Sequence, residues 1–296
     1  MSARRGVVVT GIGPVTPIGI GVDAFWAGAT SGRNGIRPIE RFDASDLPVK
    51  LAGEVDAFDP TRWLDAKETR RTDRFSHFAI ASADLAWEDA GRPEAPGERV
   101  AVIFATGIGG IEWLLNQHSV LLEKGPGRVS PFMVPALMAN AAAGHIAMRF
   151  GFTGPNFCTV SACASGANAV GEGYRMIRDG LADVAVVGGS EAATLPLTIA
   201  AFAQMTALTK NPDPETASRP FDADRDGFVL SEGACALVLE SEGAAAARGA
   251  RVYARVVGYG ASDDAYHITA PDPKGSGAAL AIGRALEDAG VGPQAV

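Results

Sequence analysis

The chain has 296 residues, 47% of them hydrophobic and 20% charged, enough apolar material for a large core in one or two domains. A formal net charge of −8 gives no basis for a nucleic-acid partner, and three cysteines without a secretory leader read as a reduced, cytoplasmic protein. No apolar stretch is long enough to span a membrane, and the run after Arg4-Arg5 breaks at Gly11, Gly13 and Pro14, too early for a leader.

Residues 6–12 form a near-continuous apolar run, the pattern of a strand covered on both faces. Gly11-Ile-Gly13 lacks the third glycine of a dinucleotide fingerprint, and Pro14 and Pro17 stand where its helix should open. A short helix is expected over 23–29, excursion loops over 36–65, and a helix over 75–90 with Phe75, Phe78, Ala79, Ser82, Leu85 and Ala86 inward. A buried strand over 99–106 runs into Gly107-Ile-Gly-Gly110, then an amphipathic stretch to Glu123. A helix rich in alanine and methionine is expected over 133–150.

Residues 157–160 suit a short buried strand, and a helix then runs to Gly180. Ala164, Ala167, Val170, Tyr174 and Ile177 mark its apolar face. Cys163 falls at the strand-to-helix turn. Unpaired N–H groups and the helix dipole favour an anion there, which is a setting for a reactive thiol. A third buried strand covers 183–188, and 227–240 reads as a hairpin. Cys158 and Cys235 sit in apolar runs and read as core residues. No Cys/His spacing suits zinc, and Asp222, Asp224 and Asp226 lack the further ligands of a calcium loop. Strands alternating with helices give an α/β layered fold.

The pattern then recurs. Residues 251–259 are again a strand entering a glycine turn, and 277–290 again an alanine-rich helix. Trp87-Glu-Asp-Ala-Gly91 is answered by Leu286-Glu-Asp-Ala-Gly290, so the chain reads as an internal duplication. Two units are expected: 1–250, a complete half carrying the nucleophile, and 251–296, the start of a second half. The second half is expected to be truncated before its central strands.

Ser161-Ala-Cys163-Ala-Ser-Gly166 resembles the nucleophile turn of β-ketoacyl-acyl-carrier-protein synthases of the elongating, type II fatty-acid kind. The opening Val7 to Gly19, Ser130 to Pro135 leading to His145, Ala182 to Glu191, Ser218 to Gly233 and Ser262 to His267 carry the same resemblance in order. It implies a thiolase-like αβαβα fold, a complete N-terminal half and an incomplete C-terminal half.

The chemistry it implies is acyl transfer from a carrier thioester to Cys163. Decarboxylation of malonyl carrier and attack of its carbanion on the acyl-cysteine follow. The Cys163 backbone N–H is one candidate oxyanion donor. No cofactor is implied, since substrates ride on the phosphopantetheine of acyl carrier protein. Ile108 and Phe202 resemble residues that line and gate the acyl pocket. Met133 resembles a position reaching into the other subunit of a homodimer, and His267 lies in a loop resembling one near the active site. Lys67, Arg70, Arg71, Arg74 and Arg128 are candidates for docking the acidic carrier, although Thr206 stands where elongating enzymes often have arginine.

The family's two catalytic histidines come from a His-Gly-Thr block and a Gly-His block of the second half, and neither block occurs here. His77, His118 and His145 read as packing, solvated and structural residues. The chain alone is therefore expected to lack condensing activity. Alternatives are a polyketide ketosynthase and a non-catalytic chain-length partner subunit, the latter disfavoured by Cys163. A thiolase acting on coenzyme A esters is disfavoured by the 218–233 block.

Overall fold

In a computed structural model that describes residues 4–296, the apolar runs become strands of one seven-stranded sheet. Its strands are β1 (Val7–Thr16), β2 (Gly19–Ile20), β5 (Val100–Ala105), β6 (Asn156–Phe157), β7 (Val184–Glu191), β8 (Gly233–Ser241) and β9 (Ala254–Val256). They run β2-β1-β8-β7-β5-β6, with β9 also on β1. β5 is parallel to β7 and β6, while β8 is antiparallel to β7 and β1. β3 (Arg37–Pro38) and β4 (Leu51–Ala52) form a separate ribbon inside the 36–65 excursion.

The helices are α1 (Val22–Thr30), α2 (Ala66–Thr69), α3 (Arg74–Asp89), α4 (Ile111–Lys124), α5 (Met133–Leu137) and α6 (Ala141–Phe150). They continue with α7 (Ser165–Arg178), α8 (Pro196–Gln204), α9 (Pro214–Ala217), α10 (Glu242–Ala247) and α11 (Ser276–Ala289). None of the described helices is long and apolar enough to cross a membrane.

The continuous apolar runs reflect a sheet covered on both faces, where successive side chains point to opposite sides. Val100, Val102 and Phe104 of β5 join a core with Phe75 and Phe78 of α3 and Ile146 of α6. Ala101, Ile103 and Ala105 of the same strand pack with Ala169, Tyr174 and Ile177 of α7. The layering is helix, sheet, helix, as the thiolase-like class requires. Each fully buried Val, Ile or Phe contributes about 1.5–3 kcal/mol by leaving water.

Five local expectations change. The 133–150 helix breaks between α5 and α6, because Met138 takes an extended ψ of 133°. The 157–160 strand shrinks to β6, as the following residues turn toward Cys163. The 227–240 hairpin is absent: residues 227–232 form a loop, joined by bridges Leu208–Phe228 and Gly53–Ser231, and only 233–241 is a strand. On α7 the inward stripe is Ser165, Ala169, Gly173, Tyr174 and Ile177, whereas Ala164 and Ala167 are exposed. Gly173 shifts the stripe: a Cβ there would stand 2.3 Å from Val187 Cγ1, so the helix backbone itself meets the sheet. Cys235 is exposed and Cys158 half-buried, so neither is a full core residue.

The repeated letters are matched by repeated geometry. Asp89 accepts the Ile12 N–H at 2.9 Å, and Asp288 accepts the Tyr259 N–H at 3.1 Å. A Cβ on Gly11 or Gly13 would stand 2.2 Å from Ala86 O or 2.0 Å from Ser82 O. A Cβ on Gly258 or Gly260 would stand 2.4 Å from Ala285 O or 2.1 Å from Ala281 O. Both glycine pairs let a helix lie directly on the chain. That close approach accounts for the glycines of Gly11-Ile-Gly13.

Candidate active site

β6 delivers the chain to a turn that ends at the start of α7, with Cys163 just before the helix and exposed. The turn is held by short polar side chains. Ser165 Oγ accepts the Ser161 N–H at 2.8 Å and donates to Ala162 O at 2.7 Å. Thr159 Oγ1 donates to Ser165 O at 2.9 Å. Ser161 Oγ donates to Asn168 Oδ1 at 2.5 Å, and Asn168 Nδ2 donates to Tyr259 Oη at 2.7 Å. Between them Ala162 has φ of 50°, left-handed backbone that costs a non-glycine residue about 1–2 kcal/mol. Strained backbone of this kind clusters at active sites.

Cys163 borders a cavity of about 510 Å³ lined by Ala105, Ile108, Ala162, Phe202 and Leu230, with Thr106, Ser190 and Glu191 among its polar members. That size suits a small-molecule or acyl site. Phe202 meets Phe228 edge-on, ring centroids 5.6 Å apart, which fixes that wall. Ser190 Oγ is buried without a hydrogen-bond partner. A wider depression of about 650 Å³ lies at Trp87, Arg92 and Phe152, with no nucleophile in its wall.

Cys163, Ile108 and Phe202 thus meet in one cavity, whereas Met133 and His267 are not in its lining. Met133 opens α5. His267 is exposed, and its Nδ1 accepts the N–H groups of Thr269 and Ala270, both at 3.1 Å, within its own loop. His77 is buried; burial pushes its pKa down to about 4, and its ring bonds Thr72 Oγ1 at 2.9 Å. His145 is half-buried with its pKa lowered by burial, and His118 is exposed. No histidine lines the cavity among the described residues. Burial pushes the Cys158 thiol up.

Lys67, Arg70, Arg71 and Arg128 are exposed, and the Arg71 guanidinium lies 4.3 Å from the Phe132 ring centroid. Arg74 differs. Its guanidinium donates to the buried Glu232 carboxylate at 2.6 and 2.9 Å and to Val55 O at 3.2 Å, so it is not a free cation. Among the described residues no group of acidic, His or Cys side chains could hold a metal ion.

Two groups were not legible beforehand. The Ser161, Ser165 and Asn168 brace had a faint signal, small polar residues spaced four and three apart around Cys163. Glu191 had none, since it contacts the 106–109 turn only through the pairing of β7 with β5.

A strained cysteine turn at a helix start, opening on an apolar cavity in a layered α/β fold, defines a thiol-dependent acyl-transfer class. The family model for the β-ketoacyl synthase N-terminal domain matches residues 4–245, and that for the C-terminal domain matches 253–296. The chain belongs to the β-ketoacyl synthase family. It is 50% identical over 296 residues to 3-oxoacyl-[acyl-carrier-protein] synthase 2 of Synechocystis sp., covering 99% of this chain and 71% of that relative. Among solved structures it resembles the ishigamide ketosynthase/chain length factor, with TM-score 0.90 and 39% identity, covering 99% of this chain and 72% of that one. It also resembles a type II polyketide ketosynthase solved with its acyl-carrier protein, with TM-score 0.87 and 31% identity over 99% and 72% of the two chains.

Proposed function

We propose that the chain is a 3-oxoacyl-[acyl-carrier-protein] synthase of fatty-acid elongation, with Cys163 as the residue that takes the acyl group. The observation that carries the reading is the exposed thiol at the mouth of the Ile108–Phe202 cavity. The Cys163 sulfur attacks the carrier thioester carbonyl, the phosphopantetheine thiol leaves, and the acyl chain lies along the apolar wall. The helix start that follows Cys163 presents N–H groups to the transient oxyanion. Condensation then requires a carbanion from malonyl carrier, formed with loss of carbon dioxide. His77, His118, His145 and His267 are not placed to assist that step.

Lys67, Arg70, Arg71 and Arg128 are read as the dock for the acidic carrier, with Arg74 removed from that set. A homodimer is read from the Met133 segment, from exposed Val134 and Met138 beside it, and from β6 at the end of the sheet. His267 is read as a substrate-facing loop residue. Residues 1–250 are read as one thiolase-like half and 251–296 as the opening of its duplicate. Polyketide assembly is the second reading, favoured by the two ketosynthase neighbours; the same nucleophile serves both.

The test is incubation with acyl carrier protein bearing a labelled acyl group, followed by mapping of the label. A thioester on Cys163, absent from Cys163→Ala, is expected. No label, or label on another residue, overturns the assignment.

A further inference from the structure

The turn that presents Ile108 to the cavity is clamped from both sides. Glu191, at the end of β7, accepts the Gly107 N–H at 2.7 Å and the Ile108 N–H at 3.2 Å on Oε2. The Thr106 hydroxyl donates to Oε1 at 3.2 Å, and Thr106 Oγ1 accepts the Gly109 N–H at 3.0 Å. On the far side the Gly110 N–H donates to Leu137 O at 3.1 Å. A Cβ on Gly110 would stand 2.1 Å from Ala136 O, and one on Gly107 would stand 2.9 Å from Glu191 Oε2. The turn therefore has no room to slide toward β7 or toward α5.

Glu191 faces the cavity and is partly buried. Burial raises its pKa, opposed by backbone and hydroxyl hydrogen bonds and by no cation. A side-chain oxygen that accepts from two consecutive amides fixes a backbone more firmly than packing alone would, since a shift of the turn breaks both hydrogen bonds at once. The Ile108 side chain, 41% exposed, remains free to turn on that fixed backbone.

We propose that Glu191 is a positioning residue for acyl selection, holding the 106–109 turn so that Ile108 sets which acyl chains the cavity admits. The inference rests on the reading of Cys163 as the acyl acceptor. It makes Glu191 necessary as an acceptor in a fixed place, with its charge and proton playing no part in the chemistry.

The experiment loads the parent chain, Glu191→Ala, Glu191→Gln, Ile108→Ala and Glu191→Ala/Ile108→Ala with hexanoyl, decanoyl and palmitoyl carriers. Acyl-Cys163 is read by intact mass. Glu191→Ala is expected to shift the palmitoyl-to-hexanoyl ratio roughly tenfold, as for residues coupled through contact. Glu191→Gln should stay within about twofold, because the amide oxygen can take the Oε2 place and its NH₂ can face Thr106 Oγ1. In the Ile108→Ala background, Glu191→Ala should add no further shift.

An unchanged ratio in Glu191→Ala, an equal shift in Glu191→Gln, or additive effects in the double variant would each overturn the proposal. Should Glu191→Ala not fold, Thr106→Val removes the linked hydroxyl and should shift the ratio in the same direction; no shift overturns the proposal. A parent chain that takes no acyl group at Cys163 overturns the functional reading, and this inference with it.

Discussion

Glu232 is the most exposed to test of the buried charges, in the sense that its loss has a calculable cost. Its side chain is 0% accessible and sits between Arg41 at 3.0 Å and Arg74 at 2.6 Å, while it also accepts the Val55 N–H at 3.0 Å. Removing one partner of a buried pair costs about 3–5 kcal/mol. Here the arginines are 22% and 19% accessible and can turn partly to water, and Arg41 keeps Glu112 at 3.1 Å. Glu232→Ala is therefore expected to cost roughly 2–4 kcal/mol, somewhat below that range. At about 2–4 °C per kcal/mol for a chain above the small-domain range, Tm should fall by roughly 5–15 °C. Leu230 and Gly233, on either side, line the Cys163 cavity, so acyl loading should fall as well. Differential scanning calorimetry reads the first effect and acyl-Cys163 mass the second. A double-mutant cycle with Arg74→Met separates the pair from its surroundings. A Glu232→Ala variant within about 0.5 kcal/mol of the parent, the size of an ordinary surface change, would refute the reasoning.

Further outcomes follow from the same geometry. Ala162→Gly should relieve about 1–2 kcal/mol of left-handed strain while giving back about 0.4–1 kcal/mol in unfolded-chain entropy. A net gain near 0.5–1 kcal/mol in urea unfolding is expected, and a loss would show that the turn is unstrained. Gly13→Ala should destabilise by at least about 1–3 kcal/mol through overpacking against Ser82 O, read by the same titration. His77, with its pKa pushed down to about 4 from 6.5, stays neutral in the fold but protonates once unfolded. Stability should therefore fall as pH drops from 6.5 toward 4, and His77→Gln should lose that component when unfolding is compared at the two ends. Asp73, raised to about 6 by burial, acts in the opposite sense between pH 3.8 and 6, so the comparison needs both single variants. A cerulenin-like epoxide should add at Cys163, which alone of the three cysteines lines the apolar cavity, and not at Cys158 or Cys235, whose thiols burial pushes up; an adduct on either of those would contradict the reasoning.

Much of the architecture was readable because apolar periodicity states burial directly. The strands at 100–105 and 184–191 and the helix at 74–89 fall within a residue or two of expectation, except at the far end of 184–191. Failures occur where contact overrides pattern. Gly173 carries no hydropathy, yet it is what lets α7 sit on Val187, so the first half of the inward face differs from expectation while Tyr174 and Ile177 keep their places. The loop at 227–232 looked like a strand by its side chains, but its backbone partners are Leu208 and Gly53, far away in sequence. At the site, Cys163 was legible within a family block and Ile108 and Phe202 as single positions resembling pocket residues, and the three meet in one cavity. Arg74 was misread because the acid that occupies it lies 158 residues away.

The paired glycine seats of Ile12 and Tyr259 carry one more lesson. Both amides dock on an aspartate, so the two segments solve the same problem in the same way. The first places an aliphatic side chain there. In the second, an aromatic ring lies across Gly171, and its hydroxyl accepts from Asn168, which in turn accepts from Ser161 in the turn that carries Cys163. The 254–259 segment thereby becomes the keystone that steadies the Cys163 turn from outside the strand and helix that form it.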